Sequence, residues 1–349
     1  MSETRANSES ASSREEADSR EALETRIRAG LEAVETRLTA ETSTLDFETT
    51  DLVSHLRSAG GKRMRPVLTL LAAMLGETGD SFSADVINGA VAVELTHLAS
   101  LYHDDLMDDA TVRRGVEAAH LKWNNTLAVM AGDLIFARSS RIISTLGPRL
   151  VGQHATTFER LCLGQMHDIF GPSEADDPIE FYIGVLREKT GALIGTAAHY
   201  GAVLARCSED VVAAVTDFGE DLGVAFQIAD DVLDLQATVG QSGKTPGADL
   251  RDGTKTLPVL LLEKRASEGT ASASDAMLLL DIQNLEGTDD DELLAKTVER
   301  LALHEVTAQT VELASQWVDR AVAHLEGIPE SAVKSALVDF AHLQINRLK

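Results

Sequence analysis

The chain has 349 residues, 44% of them hydrophobic and only 4% aromatic, enough for one large core or two smaller ones packed mainly through Leu, Val, Ile and Ala. Its 56 acidic and 31 basic residues give a formal charge of -25, which argues against non-specific nucleic-acid binding. No stretch has the uninterrupted apolar length of a membrane span, and the N-terminus lacks the apolar core of a signal peptide, so a cytoplasmic protein is expected.

Residues 1–20 are rich in Ser, Glu, Ala and Arg without apolar periodicity and read as a disordered tail, which leaves 21–349 as the folded domain. From about 21 onward Leu23, Ile27, Leu31, Val34 and Leu38 recur every three to four residues, as on one helical face. Further helices are predicted over 46–59, 66–76, 83–109, 119–147, 151–169, 178–205, 208–236, 256–266, 290–325 and 330–347. Gly- and Pro-bearing breaks separate them, at Gly60-Gly61, Gly76 to Asp80, Gly171-Pro172, Gly240 to Gly247 and Gly327 to Pro329. A further break falls at Ser267 to Thr270. No strong alternating strand run appears. The expected fold is all-α, a single-domain helical bundle larger than four helices. Val86 to Leu101 is apolar apart from Asn88, Glu94, Thr96, His97 and Ser100, and 208–236 looks similar, so these two helices are expected to be central and to face one another. Cys162 and Cys207 sit in apolar helical contexts and read as buried free thiols.

Each central helix carries an aspartate cluster. Asp104 and Asp108 are one helical turn apart, about 6 Å along the axis, with Asp105 beside them. Asp230 and Asp234 repeat that spacing, flanked by Asp231 and preceded by Gln227. One such pair alone is compatible with a solvated helix end. Two pairs inside apolar helices point to hard cations, and magnesium completed by phosphate oxygens suits this donor set. Basic residues fall at the breaks: Lys62, Arg63 and Arg65 in Gly60 to Pro66, Arg113-Arg114-Gly115, Lys189-Thr190-Gly191, and Lys244 in Gly243 to Gly247. Arginine clamps phosphate with two donors and lysine offers a point charge, although each could equally serve a surface ion pair, Arg63 most of all. The Gly-Lys-Thr at 243–245 lacks phosphate-loop spacing and does not indicate an ATPase. His97, two turns before Asp104, reads as a core histidine or as a hydrogen-bond donor to a diphosphate.

As a set these motifs, with Gly164-Gln165, Asp168, Phe226 to Asp234, Asp249-Leu250-Arg251 and Thr256-Leu257-Pro258, resemble the trans-isoprenyl diphosphate synthases, or polyprenyl synthetases, over nearly all of the chain beyond the tail. The resemblance implies an all-α fold with a deep cavity, a homodimer, and Mg-dependent head-to-tail condensation of an allylic diphosphate with isopentenyl diphosphate. It implies that Asp104, Asp105, Asp108, Asp230 and Asp234 hold three magnesium ions, with Asp231 in the same catalytic set. Arg113, Lys189 and Lys244 would contact the allylic diphosphate. Lys62, Arg65, His97 and Arg114 would bind isopentenyl diphosphate, and Thr190, Phe226 and Gln227 would line the reacting region. The departing diphosphate would take the proton, so no separate base is needed. One departure stands out: the lysine that often follows the Gly253 position comes one residue later, at Lys255, behind Thr254.

Thr96, Ala99 and Ser100 would line the chain-length pocket. Ala99 and Ser100 are small where a large aromatic stops elongation in short-chain members, so the expected product is longer than C20, in the range C30 to C50. A barrier on a deeper helix, around Leu127 to Phe136, would instead give a geranylgeranyl (C20) diphosphate synthase. A non-catalytic subunit of a heteromeric synthase is a further alternative, as is a terpene cyclase, which would not need the isopentenyl diphosphate set. A greasy product leaves room for transient contact with a membrane surface at release.

Overall fold

The computed structural model describes the backbone of residues 2–43, 46–76, 79, 81–236, 247–285 and 290–348, and their side chains from Arg20 onward apart from Ala248 and Leu348. In chain order the elements are α1 (Ser2–Thr42), α2 (Phe47–Ser58), α3 (Met64–Ala73), α4 (Ala84–Met107), the hairpin strands β1 (Val112–Arg113) and β2 (Val116–Glu117), α5 (Ala119–Lys122), α6 (Asn125–Ile143) and α7 (Pro148–Phe170). Then follow α8 (Pro178–Leu186), a π-helical turn Arg187–Gly191, α9 (Ala192–Leu204), α10 (Glu209–Gln236), α11 (Ala248–Arg251), α12 (Leu257–Ser267), α13 (Ala273–Leu285), α14 (Asp291–Ala302), α15 (Glu305–Ala323) and α16 (Ala332–Ile345). The protein is all-α in class.

Local chemistry sets most of these ends. Asp46, Ser83, Asn124, Asp177, Asp290 and Ser331 each accept a first-turn backbone N–H with the side chain. The Asn124 cap divides the predicted helix 119–147 into α5 and α6, because an amide that binds Leu127 N competes with the helical ladder. The predicted 178–205 helix is likewise interrupted, by the π-turn. α13 was not anticipated. The helical backbone of α1 extends back through the expected tail, whose side chains before Arg20 lie outside the described residues. Arg114-Gly115 forms the two-residue turn of the hairpin, both residues at positive φ (53° and 77°), as a type I′ geometry requires.

Two large apolar clusters meet across the bundle. One joins α1, α2, α4 and α6 through residues such as Leu38, Leu95, Tyr102 and Ile135. The other joins α3, α9, α10, α15 and α16 through Leu68, Ile194, Phe218 and Val318. Of the two aspartate helices, each packs against α9, which contacts both α4 and α10. The approach of α10 to the π-turn and α9 is backbone on backbone. A Cβ on Gly223 would lie 2.5 Å from Gly191 Cα, and one on Gly219 would lie 2.8 Å from Gly195 Cα. Gly223→Ala is therefore expected to destabilise the protein by about 2 kcal/mol or more, read as a lower melting temperature. It should also impair catalysis, because the π-turn carries Lys189 and Thr190. Of the cysteines, Cys162 is exposed on α7 and Cys207 is half-buried, both free, so the expectation of buried thiols fails for Cys162. That position faces outward from α7 although its sequence neighbours are apolar.

Candidate active site

Both aspartate clusters obey one geometric rule. In the first, Asp104 is half-buried, Asp108 is exposed and Asp105 is wholly buried. In the second, Asp230 and Asp234 are half-buried and Asp231 is buried. Carboxylates four apart thus share an outward face, and the one between points into the protein. The inward member is tied to a fixed donor each time: Asp105 Oδ1 accepts from Arg113 Nε, and Asp231 Oδ2 from the Tyr182 hydroxyl. Asp105, expected as a metal ligand, is in this structure the anchor of Arg113, and its Oδ2 meets no polar partner.

Burial pushes the Asp104 carboxyl up to about 6 against the pull of Lys189, and the like charge of Asp108 adds to the rise. Burial also raises Asp105 and Asp108, and holds Asp231 well above the usual carboxylate range. Lys189 Nζ lies 2.5 Å from Asp168 Oδ2, and Thr190 Oγ1 3.3 Å from Gln227 Oε1, so the π-turn presents both residues toward the same region. Non-α-helical turns inside helices recur at functional sites.

A cavity of about 470 Å³ opens beside Asp108 of the first cluster and reaches Tyr182, the residue that holds Asp231. Asp108, Gln165 and Asp168 line one side, Tyr182 lines another, and Gly253, Thr254 and Lys255 line the side supplied by the loop before α12. Lys255, displaced by one residue from the family spacing, nevertheless lies in this wall, with its Nζ on Glu263 at 2.7 Å. A smaller cavity of about 90 Å³ lies below Asp104, bounded by Ser100, Met107, Phe136, Phe158, Leu161 and Cys162 among others. Phe136 and Phe158 pack with ring centroids 3.9 Å apart at its end. Of the expected chain-length residues only Ser100 lines this space. Ala99 is fully buried in the core, and Thr96 is buried with its hydroxyl 2.9 Å from Ser139 Oγ.

The hairpin's two arginines reach different partners, Arg113 from the end of β1 and Arg114 from the turn. Arg113 turns to Asp105, while Arg114 Nη1 donates to the Leu56 carbonyl at 3.0 Å and to that of Gly60, with Nη2 3.5 Å from His97 Nε2. Lys62 is exposed beside them. Burial lowers Arg65 to about 10, and burial with the surrounding arginines keeps His97 neutral. Arg65, His97 and Arg114 thus share one basic neighbourhood, which follows directly after Lys62 in the chain. Lys244 lies outside the described residues. Two functional positions were not anticipated. Tyr182 holds Asp231, and Arg347 at the end of the chain lies 2.5 Å from Asp230 Oδ1 with its guanidinium over the Phe226 ring. Nothing in the local sequence marks either; Arg347 reads as an ordinary C-terminal charge.

Among the described residues no group of three or more Asp, Glu, His or Cys side chains forms a ready-made metal cage. The donor set still fits a hard divalent cation, since the outward carboxylates offer oxygen ligands from one face only and leave the remaining positions to water and phosphate.

The polyprenyl synthetase family profile matches residues 48–299. The chain is 38% identical over 317 residues to the nonaprenyl diphosphate synthase of Mycobacterium tuberculosis, covering 90% of this chain and 92% of that one. Its fold superposes with a TM-score of 0.83 on a polyprenyl synthase from Caulobacter crescentus complexed with calcium and isoprenyl diphosphate, at 30% identity and 94% and 98% coverage. A geranylgeranyl pyrophosphate synthase from Corynebacterium glutamicum, also complexed with calcium and isoprenyl diphosphate, gives 0.80 at 38% identity and 93% and 97% coverage. The helical fold is that of the isoprenoid synthases. The chain belongs to the polyprenyl synthetase family and is a prenyltransferase of the head-to-tail condensing kind.

Proposed function

We propose that this protein extends an allylic diphosphate with isopentenyl diphosphate, in the presence of magnesium, to an all-trans polyprenyl diphosphate longer than C20. The observation that carries the reading is the repetition of one outward carboxylate step, Asp104/Asp108 and Asp230/Asp234, on two helices, together with the basic neighbourhood of Arg65, His97 and Arg114 beside Lys62. The calcium and isoprenyl diphosphate in the two structural relatives support a divalent cation at these carboxylates. When bound, magnesium, expected as three ions, offsets the charge that develops on the leaving diphosphate.

The chain's own residues do the rest. Asp104, Asp108, Asp230 and Asp234 supply oxygen ligands. Lys189, Lys255 and Arg113, the last oriented by Asp105, face the allylic diphosphate, and Lys244 is expected to contact it as well. Its C–O bond breaks, the electron pair leaves with the diphosphate, and the isopentenyl double bond attacks the allylic carbon. The proton lost from the adduct goes to the departing diphosphate. Apolar walls at Phe136, Phe158 and Leu161 keep water from the cation. Thr190, Phe226 and Gln227 border the reacting carbons.

The small Ser100, which lines the space below Asp104, supports a long product. The Phe136–Phe158 pair favours the alternative of C20 by closing the space below Ser100. Incubation with isopentenyl diphosphate, farnesyl or geranylgeranyl diphosphate and magnesium, followed by chromatography of the products, separates these readings. No turnover by the purified chain would reject both and revive the non-catalytic subunit. Exposed apolar side chains on α6 and α7, among them Leu127, Met130, Val151, Leu163 and Met166, support a homodimer through that face. Among the described residues no helix is long and apolar enough to cross a membrane, in keeping with a cytoplasmic enzyme that touches membrane only at product release.

A pH dependence follows from Asp104. Its proton is held up to about pH 6, and the protonated carboxyl is a poor cation ligand. Apparent magnesium affinity and kcat/KM should therefore rise as pH increases through about 6 and level off above it. A profile flat from pH 5 to 7 would count against Asp104 as a ligand.

A further inference from the structure

This basic neighbourhood lies against two carboxylates that the condensation does not use. Glu94, in the middle of α4, is 2% exposed and flanked by the buried apolar residues Ala90 to Val93 and Leu95. Glu35 projects from α1. Both meet at Arg63. The Arg63 Nε donates to Glu35 Oε1 and Nη2 to Glu35 Oε2 at 3.4 Å, while Nη1 donates to Glu94 Oε1 at 3.0 Å. The remaining hydrogens go to the Gly60 carbonyl at 3.5 Å and the Arg57 carbonyl at 3.4 Å. A guanidinium has five N–H donors, and each has a protein acceptor here, so none is left for phosphate. Its neighbours differ: Lys62 is exposed, and Arg65 Nε meets no acceptor at all.

Arg63 also occupies the left-handed region, φ 50°, after Gly60 at 91° and Gly61 at 150°. A non-glycine residue persists there only where its surroundings over-determine the backbone. The two carboxylates do so, and the two carbonyls that Arg63 holds belong to the end of α2 and to the turn itself. Arg114 donates to the same Gly60 carbonyl, which links the clamp to the hairpin.

We propose that Arg63 is a positioning residue, clamped between buried Glu94 and Glu35, that sets the Gly60–Arg65 turn so that Lys62 and Arg65 are aimed at the diphosphate of isopentenyl diphosphate. This rests on the functional reading above and adds a role for three residues that contact neither substrate. Buried charge is retained because it fixes one conformation of the turn.

The test is steady-state kinetics of Glu94→Gln, Glu35→Gln, Arg63→Lys and Arg63→Met, varying each substrate separately with magnesium saturating. Glu94→Gln should raise KM for isopentenyl diphosphate roughly tenfold, while KM for the allylic substrate stays within about twofold and kcat at saturation is largely kept. Because both carboxylates act through Arg63, the Glu94→Gln/Arg63→Met double variant should be no worse than Arg63→Met alone. Unchanged KM for isopentenyl diphosphate, an equal rise in both KM values, or fully additive losses would overturn the clamp. If Arg63→Met does not fold, the two Glu→Gln variants and Arg63→Lys still read the same split. Wild-type turnover separates the two levels: a chain that condenses nothing defeats the functional reading, whereas normal wild-type condensation without the split defeats the clamp alone.

Discussion

Asp104→Ala should lower kcat at least about a thousandfold while leaving the fold intact. Asp104 sits in the last full turn of α4 with Asp108 on the same face, and burial has already made its charged form unfavourable. Removing it takes away an oxygen ligand at the point where leaving-group charge develops, and with it one of the negative charges near Lys189. The same removal relieves desolvation and like-charge repulsion, so the melting temperature of the ligand-free protein should hold or rise at neutral pH. The sign is fixed by the raised pKa: the folded state penalises the ionised form, and that penalty grows as pH rises toward 6 and is complete above it. Activity and stability are therefore expected to move in opposite directions. Circular dichroism melts beside product assays would check this, and wild-type turnover by the variant would remove Asp104 from the metal set.

Ser100→Phe should shift the product toward C20 or shorter, and Phe136→Ala should lengthen it. Ser100 lines a cavity of about 90 Å³, so a benzyl group on that wall leaves little room for a growing tail. Phe136 packs on Phe158 at the far end and stacks on His154, with centroids 5.6 Å apart, which makes the pair a stiff floor. Ala99, the other small residue expected to line the pocket, is a poor probe. It is fully buried in the α4–α6 core, where a phenyl ring would overpack at a cost of about 1–3 kcal/mol or more. Chromatography of radiolabelled products reads both changes. An unaltered distribution in both variants would mean that the hydrocarbon takes another path.

Much of the chemistry could be read before any fold was known, because it depends on short-range spacing. Carboxylates four apart share a helix face whatever surrounds them, so the Asp104/Asp108 and Asp230/Asp234 pairs were legible, as were the glycine turn before Arg65 and the small residue at 100. What was not legible depends on distant packing. The glycines at 191, 195, 219 and 223 let α9 and the π-turn lie close against α10, a contact that no local pattern announces. Asp105 was indistinguishable in spacing from a ligand, yet its side chain turns inward to an arginine on the hairpin. That hairpin is too short to announce itself by alternation.

Periodicity determined the all-helical class and the carboxylate pairs that share a face, and the motifs taken as a set carried the resemblance to the family. These are set within a turn or two of backbone. Only the tertiary structure decided that Arg113 and Arg114 reach different partners, that Arg63 is spent on Glu35 and Glu94, and that Arg347 reaches Asp230 across 117 residues of sequence. The reason is physical: helix propensity and face are local properties, whereas the partner of a charged side chain is chosen by whichever element packing brings alongside it.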